Sequence, residues 1–262
     1  ESSVSPAFRN RAYCPPARPM PLFMASYIPL SGSERTLIAA GFPAFSAGGD
    51  QAVTELPVHF AVLSSKPEVS RAVDDDAAKK EIDILNTYFV TEEGEPLVRF
   101  RFKSFHSYQE IKDSGCEFIR LGDFTGEYRS GYWQDLFNSC RDPRVVDPSA
   151  INFYIYDSYS PERGFTDKNS HGKNNHDRPY IVLDWERLGH RIQSPEEHEM
   201  GHAFGLSHVC VPGARPDTST NIMASSGCGK GSGGRRDIGF DPRQTRIILR
   251  NAEEIEEMLL ER

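Results

Sequence analysis

Three of the eight histidines of this 262-residue chain lie between His198 and His208, in the stretch HEMGHAFGLSH. Histidines four positions apart on an α-helix project from one face, so His198 and His202 can direct ring nitrogens at the same point. Gly205 allows the sharp turn that would bring His208 to that point from beyond the helix end. Three neutral imidazoles suit Zn²⁺ and leave a fourth position for water. The spacing therefore predicts one zinc ion bound by these three histidines.

Glu199 follows the first of these histidines and projects from a neighbouring side of the helix. From there a carboxylate can reach a water at the metal without binding the metal itself. We predict that Glu199 is the general base of a hydrolysis, taking a proton from water and passing it to the departing amine. The competing interpretation is an exposed helix that carries histidines by chance. The matched glycine and third histidine, Gly205 and His208, argue against it.

The helix that carries these residues begins at a recognisable signal. Ser194 can cap it, Pro195 takes the first helical position, and Glu197 completes a capping box. Elsewhere, period-two alternation predicts strands and a 3.6-residue period predicts amphipathic helices. The predicted strands cover residues 55–65, 97–105, 151–158 and 178–185, and the other predicted helices cover residues 74–90, 132–137 and 241–262.

Composition narrows the classes of function. The formal net charge is −8, and no basic stripe could displace counterions from phosphates, so no nucleic-acid partner is predicted. No run approaches the ~18 apolar residues that a membrane-spanning helix needs. The sequence begins with Glu1 rather than methionine, so any signal peptide is expected to have been removed or to lie outside this sequence.

Met223 stands fifteen residues after His208, in TNIMASS. The pattern H-E-x-x-H-x-x-G-x-x-H followed by a methionine resembles the metzincin clan of zinc endopeptidases. The resemblance implies an α/β (α+β) metzincin-type zincin domain of two lobes, with a twisted mixed sheet and long helices above an irregular lower lobe. It also implies that Met223 forms a hydrophobic floor below the zinc, although an isolated methionine is more often a core residue. The implied reaction is hydrolysis of peptide bonds in protein or peptide substrates.

Within the clan, four segments are similar to the pappalysin family. They are EIDILNTYFV, NFYIYD, NIM together with Cys228, and GFDPRQTRII, and they follow the family's order between residues 56 and 249. The motif HEMGH is also similar to the adamalysins, which keeps a second subfamily open. The chain departs from the pappalysins at Ser225, where they usually have the tyrosine that stabilises the oxyanion. Either zinc alone or another donor must then polarise the carbonyl.

On this resemblance, residues 55–262 form the metalloprotease domain, with an upper lobe at 55–208 and a lower lobe at 209–262. Residues 1–54 are an N-terminal segment similar to a pro-segment. The protein is expected to be secreted and monomeric. Two alternatives stay open: a zinc-binding interaction module without turnover, for which Ser225 is the only support, and a latent precursor.

The five cysteines lead to separate predictions. A bridge between Cys116 and Cys140 would close the segment around a short predicted helix, and a bridge between Cys210 and Cys228 would clamp the loop that carries the methionine. The resemblance implies that Cys14 is a latency switch whose thiolate occupies the open zinc position. The alternatives for this cysteine are a disulfide that tethers the N-terminal segment and a disordered tail.

Two further predictions concern loops. The resemblance places the sheet edge that borders the substrate cleft at Gly164, Phe165 and Thr166, where a peptide would add as an antiparallel strand. A polar loop holds four side chains that either bind a structural ion, Ca²⁺ or zinc, or are simply solvated. These side chains are Asp167, His171, His176 and Asp177.

Overall fold

The computed structural model describes residues 53–121, 132–160, 165–166, 170–190, 194–227 and 231–261. All of them belong to one unit, Asp50–Arg262. Cys14 and the rest of the predicted N-terminal segment up to residue 52 lie outside the described residues. Among the described helices, none combines the length and the apolar character that a bilayer span requires.

Strands and helices alternate along most of the described chain. The strands are β1 (Glu55–Val62), β2 (Arg99–His106), β3 (Ile151–Tyr156), β4 (Tyr159–Ser160), β5 (Phe165–Thr166), β6 (Ser170–Lys173), β7 (Tyr180–Asp184), β8 (Val209–Cys210) and β9 (Ala224–Ser225). The helices are α1 (Pro67–Ala72), α2 (Asp75–Tyr88), α3 (Tyr108–Ile111), α4 (Tyr132–Ser139), α5 (Pro195–Ala203) and α6 (Pro242–Leu260).

A five-stranded mixed sheet forms the centre of this unit, in the order β2-β1-β3-β7-β6. The first four strands are parallel to their neighbours, and β6 runs antiparallel to β7 at the edge. Both β3 and β7 are buried along their whole length, as expected of parallel strands that are covered on both faces. The prediction of an α/β domain built on a mixed sheet is confirmed.

Alternating side chains of the strands enter two separate apolar clusters on opposite faces of the sheet. The larger cluster joins the sheet to three helices and includes Leu85 of α2, Met200 of α5 and Ile248 of α6. The smaller cluster is rich in aromatic rings and includes Trp133 of α4 and Tyr154 of β3. On the side of the smaller cluster, the Cys116–Cys140 disulfide has an S–S distance of 2.03 Å, which confirms the predicted bridge.

The two predicted helix starts have different outcomes. At α6, Asp241 accepts hydrogen bonds from the first-turn amides, and Gln244 completes the capping box. At α5, Pro195 occupies the first turn as predicted, but Ser194 makes no side-chain cap. The capping prediction for Ser194 is wrong because its backbone is left-handed, with φ 43°, and because the Glu197 carboxylate instead contacts His190.

Candidate metal centre

Helix α5 carries the predicted motif and is buried along nearly all of its length. It lies directly on the edge strand β6, because a Cβ atom at Gly172 would stand 1.8 Å from the Glu199 carbonyl oxygen. On another side, a Cβ atom at Gly201 would stand 2.4 Å from the Met223 sulfur. The absence of side chains at these two glycines therefore permits the close approach of the edge strand and of Met223 to the helix.

The helix ends as the glycine in the motif predicts. Gly205 has φ +84°, the left-handed conformation that favours glycine at a helix end. Its amide donates to the carbonyl of His202, and the amide of Leu206 donates to the carbonyl of Gly201, both at 2.9 Å. These two bonds form a Schellman motif. The turn sends the following chain back towards the helix face that carries His202.

The three predicted histidines come together at this turn. One ligand atom from each of His198, His202 and His208 lies within 4.8 Å of the other two. The Nε2 atoms of His202 and His208 are 3.0 Å apart, and the three ring centroids are separated by 4.6–5.2 Å. Among the described residues, these three side chains form one of only two groups of their kind. This cluster, which we call the histidine trio, could hold a metal ion.

Backbone carbonyls fix the tautomers of two members of the trio. Nδ1 of His198 lies 2.7 Å from the carbonyl oxygen of Ile222, and Nδ1 of His202 lies 2.7 Å from that of Leu206. A carbonyl can only accept a hydrogen bond, so Nδ1 carries the proton and Nε2 keeps its lone pair. Burial lowers the pKa of His198 to about 3, with smaller opposing and reinforcing effects from neighbouring charges. Its imidazole is therefore neutral, as a metal ligand must be.

The carboxylate of Glu199 is buried and is positioned by two consecutive hydrogen bonds. Ser170 of β6 donates its hydroxyl hydrogen to Oε1 of Glu199 at 2.5 Å, and Arg187 donates to the same hydroxyl oxygen at 2.5 Å. Burial acts to raise the pKa of Glu199, but the adjacent His198 and His202 and the Ser170 hydroxyl outweigh it, so the pKa is lowered. Glu199 is therefore ionised and able to accept a proton. The sequence analysis missed both Ser170 and Arg187.

Met223 lies in a turn that returns to the helix. Its side chain is fully buried and contacts Gly201 of α5, between the two histidines of that helix. Strand β8, directly after His208, pairs with β9, directly after Met223, and the carbonyl of Met223 accepts a hydrogen bond from Val209. The preceding carbonyl, that of Ile222, is the one that holds His198. The methionine turn thus contacts the helix and orients one imidazole.

A half-buried arginine that was not among the predicted site residues also faces this centre. Arg236 donates from Nε to the carbonyl oxygen of Ala224 at 2.8 Å. Burial lowers the pKa of Arg236, and the negative charge of Glu199 partly opposes this shift. Ser225, at the position where a tyrosine was expected, is held in its own turn because its hydroxyl accepts a hydrogen bond from Gly227.

The predicted substrate edge takes a different position. Gly164 lies outside the described residues, and Phe165 and Thr166 form β5, which pairs with β4 in a separate two-stranded sheet. The edge of the five-stranded sheet is formed by residues 170–173 instead, because β6 pairs with β7 and its Gly172 lets helix α5 approach.

The remaining predicted sites are only partly described. Cys210 is disulfide-bonded, but its predicted partner Cys228 lies outside the described residues, as does Cys14. Asp167 of the predicted ion-binding loop also lies outside the described residues. The three described members do not form a metal-ligating group with one another, and a bound calcium ion has no support. They are His171, His176 and Asp177.

Comparisons with known proteins give structural matches only. No family model and no curated protein sequence matches the chain. The chain is similar to metalloproteinase-II from Bacteroides fragilis, with 12% identity and a TM-score of 0.44 over 77% of this chain and 55% of that one. It therefore spans about half of that protein's length. Archaemetzincin from Methanopyrus kandleri matches with 16% identity and a TM-score of 0.37 over 76% and 96% of the two chains. Mature mirolysin from Tannerella forsythia, in complex with a cleaved peptide, matches with 10% identity and a TM-score of 0.43 over 80% and 98%.

Proposed function

We propose that this chain is a zinc-dependent endopeptidase of the metzincin type that hydrolyses peptide bonds in protein or peptide substrates. The observation that carries the proposal is the histidine trio, in which two rings are fixed by carbonyls so that their Nε2 lone pairs are free. An ionised Glu199 lies on the same helix. We also propose that the protein is secreted, monomeric and related to the pappalysins, which is supported by the four similar segments.

The trio fits zinc better than it fits a harder cation. All three donors are imidazole nitrogens, and the two donors on α5 are one helical turn apart, the arrangement found in zinc peptidases. When zinc is bound, it supplies a Lewis acid that acidifies water and polarises the scissile carbonyl. His208 is exposed whereas His198 is buried, so the cluster has an open side from which a substrate can enter.

Glu199 provides the proton transfers of the reaction. The hydroxyl of Ser170 occupies Oε1 of the carboxylate, which leaves Oε2 to take a proton from the attacking water. Because Arg187 donates to the oxygen of the same hydroxyl, the hydroxyl hydrogen must point towards Glu199 rather than away from it. The protonated Glu199 then gives the proton to the departing amine, so no covalent intermediate is required.

We further propose that the positive charge of Arg236 stabilises the oxyanion, the role that a tyrosine hydroxyl has in related enzymes. Its guanidinium is anchored to Ala224, next to Met223, and interacts electrostatically with both Glu199 and His198. Replacing one stabilising donor of an oxyanion typically lowers kcat by about 10²–10³-fold. We expect an effect of this size for Arg236→Gln, with KM nearly unchanged. The matched control Ser225→Ala should leave kcat within about twofold, and an Arg236→Gln enzyme with unaltered kcat would refute the assignment.

The central test is hydrolysis of casein and of a peptide library by the purified chain, with and without a chelator. We expect cleavage that the chelator abolishes and that added Zn²⁺ restores. Glu199→Ala should lower kcat/KM by about 10²–10⁴-fold while the protein still binds one zinc ion at the trio. Cleavage that persists in this variant would exclude the mechanism. If the wild-type chain binds zinc but cleaves nothing, even after N-terminal trimming, a non-catalytic interaction module is the better assignment.

Latency through Cys14 has its own test. If its thiolate blocks the metal, Cys14→Ala should cleave without any trimming, whereas the wild-type chain should become active only after proteolytic removal of the N-terminal segment. As a control, trimming should bring the Cys14→Ala and wild-type proteins to the same activity, because it removes residue 14 from both. Equal activity of untrimmed wild-type and Cys14→Ala proteins would eliminate the switch.

A further inference from the structure

A second group of metal-ligating side chains lies at the other end of α5, where the helix begins. Glu196 and Glu197 belong to its first turn, and His190 comes from the loop that follows β7. Helix α2 adds the carboxyl group of Glu81 from the opposite side. Both glutamates of α5 are fully buried, and Glu81 is only 2% exposed. Three carboxyl groups therefore share an interior position away from water.

These side chains are close enough together to bind one ion, once the hydrogen bond between His190 and Glu197 opens to admit it. Nε2 of His190 lies 2.5 Å from Oε1 of Glu197 and 3.7 Å from Oε2 of Glu196. One ligand atom from each of the three lies within 4.8 Å of the others. Ligands that bind one transition ion at about 2.0–2.2 Å stand roughly 3–4 Å apart. We call these three residues the acidic trio.

One oxygen of each carboxyl group at this position lacks a hydrogen-bond partner. Oε2 of Glu196 and Oε2 of Glu197 are buried and have no hydrogen-bond partner, and Oε2 of Glu81 is in the same condition. In the described part of the chain, His190 is the only cationic side chain within ion-pair distance of them. Burial of unpaired carboxylates is strongly unfavourable unless a cation or a proton compensates them.

Glu81 of α2 lies beside the acidic trio. Its Oε1 accepts a hydrogen bond from the amide of Gly189, which fixes the carboxyl group beside Glu196. Three buried carboxyl groups therefore crowd this position, and the two on α5 lie within 4 Å of the His190 ring.

We propose that His190, Glu196 and Glu197 bind a second divalent cation, which fastens the first turn of α5 to the loop after β7. An imidazole nitrogen together with carboxylate oxygens suits Zn²⁺ or Mn²⁺. Calcium requires six to eight oxygen ligands, and magnesium retains several waters, which a site between fully buried carboxylates does not accommodate. The cation has a structural function, because both of its carboxylate ligands are fully buried and its third ligand, His190, is only partly exposed.

The test uses a background variant, His202→Ala with His208→Ala, that removes two members of the histidine trio. After treatment with a chelator and dialysis, this protein is titrated calorimetrically with Zn²⁺, Mn²⁺ and Ca²⁺ in separate experiments. We expect one equivalent of Zn²⁺ or Mn²⁺ per chain and much weaker binding of Ca²⁺. At a hundredfold excess over Kd, the bound ion should raise Tm by about 5 °C or more. This outcome does not depend on whether the chain is a peptidase.

Further substitutions test whether the one bound ion occupies the acidic trio. Adding Glu196→Gln and Glu197→Gln to the background should abolish binding of the ion, whereas the exposed control Glu253→Gln should change nothing. If the double glutamine variant fails to fold, the titration and the Tm shift of the background variant still decide the matter. The proposal is overturned if the background variant binds no ion and its Tm is the same with and without the chelator. It is also overturned if the glutamine variant keeps the full equivalent, since shared protons would then compensate the carboxylates.

Discussion

The two ends of α5 carry opposite kinds of site. At its C-terminal end, three imidazoles converge, and His208 is exposed to solvent. At its N-terminal end, one imidazole meets two fully buried carboxylates. A site that exchanges water and substrate must open to solvent, whereas a site that only fastens the fold can be closed. One short helix thus separates a group suited to chemistry from a group suited to anchoring.

The two sites also use glutamates on different faces of α5. Glu197 and Glu199 are two residues apart on α5, yet Glu197 contacts His190 while Glu199 contacts Ser170. Residues two apart on a helix project about 200° from each other. Because the two carboxylates point to different sites, substitutions at one end should separate cleanly from substitutions at the other.

The largest expected effect is on kcat/KM, and it should differ between two variants that each lack one imidazole, one at each end of α5. His202→Ala should lower kcat/KM by at least about 10³-fold, because the metal that activates water loses a ligand. His190→Ala should lower it by about tenfold or less, because this ring touches no reacting group. Steady-state hydrolysis of one peptide by both variants, after circular dichroism has verified their folding, makes the measurement. Equal losses in the two variants would show that the ends of α5 act as one site.

The next effect concerns the packing below the C-terminal end. The alanine methyl in Gly201→Ala would stand 2.4 Å from the Met223 sulfur, so the buried methionine must move. Overpacking of this kind typically costs 1–3 kcal/mol, and the better helix propensity of alanine offsets about 1 kcal/mol. We expect the free energy of unfolding in urea to fall by up to about 2 kcal/mol.

A double-mutant cycle shows whether this loss arises from the methionine. Met223→Ala removes the sulfur, so adding Gly201→Ala to that variant should cost less than it does in the wild-type chain. If the two losses simply add, the clash lies elsewhere and Met223 is not the residue that limits the approach to α5. The N-terminal end has no glycine in this position, which makes the comparison specific to the histidine trio.

The histidine trio could be predicted from the sequence because all its information is local. His198, His202, Gly205 and His208 fall within eleven residues, and helix geometry alone places the first two on one face. The helix end at Gly205 follows from the same local rule. Strands β1, β2, β3 and β7 and the α6 start at Asp241 were likewise visible in short-range patterns. The α/β fold class was implied by the resemblance to the metzincins.

The acidic trio could not be predicted in this way. Glu81 and Gly189, whose hydrogen bond helps to form it, are separated by 108 positions, and only the packing of α2 against α5 brings them together. The Ser194 capping prediction failed for the same reason, since a tertiary contact with His190 draws Glu197 away from the helix start. Edge strand β6 was missed because SHGK shows no alternation of apolar residues.

The last expected effect concerns pH and separates both sites from a histidine that is merely buried. His59 of β1 is fully buried, and its ring nitrogens lie 2.9 Å from the Ser104 hydroxyl and 3.1 Å from the Arg144 carbonyl. Burial lowers the pKa of His59 to about 4, despite the opposing charge of nearby Asp147. Both nitrogens are satisfied by protein atoms, so this histidine has no free lone pair for a metal.

The lowered pKa of His59 makes stability depend on pH with a definite sign. Between pH 6.5 and about 4 the unfolded imidazole is protonated while the folded one stays neutral, so stability falls as pH falls through this window. The full loss is on the order of 3 kcal/mol. Urea unfolding of metal-free wild-type and His59→Gln proteins at several pH values measures it, because glutamine does not titrate and its amide can still donate to Arg144. The variant should lose less stability than the wild type over the window, and parallel losses would mean that the folded imidazole becomes protonated near its ordinary pKa.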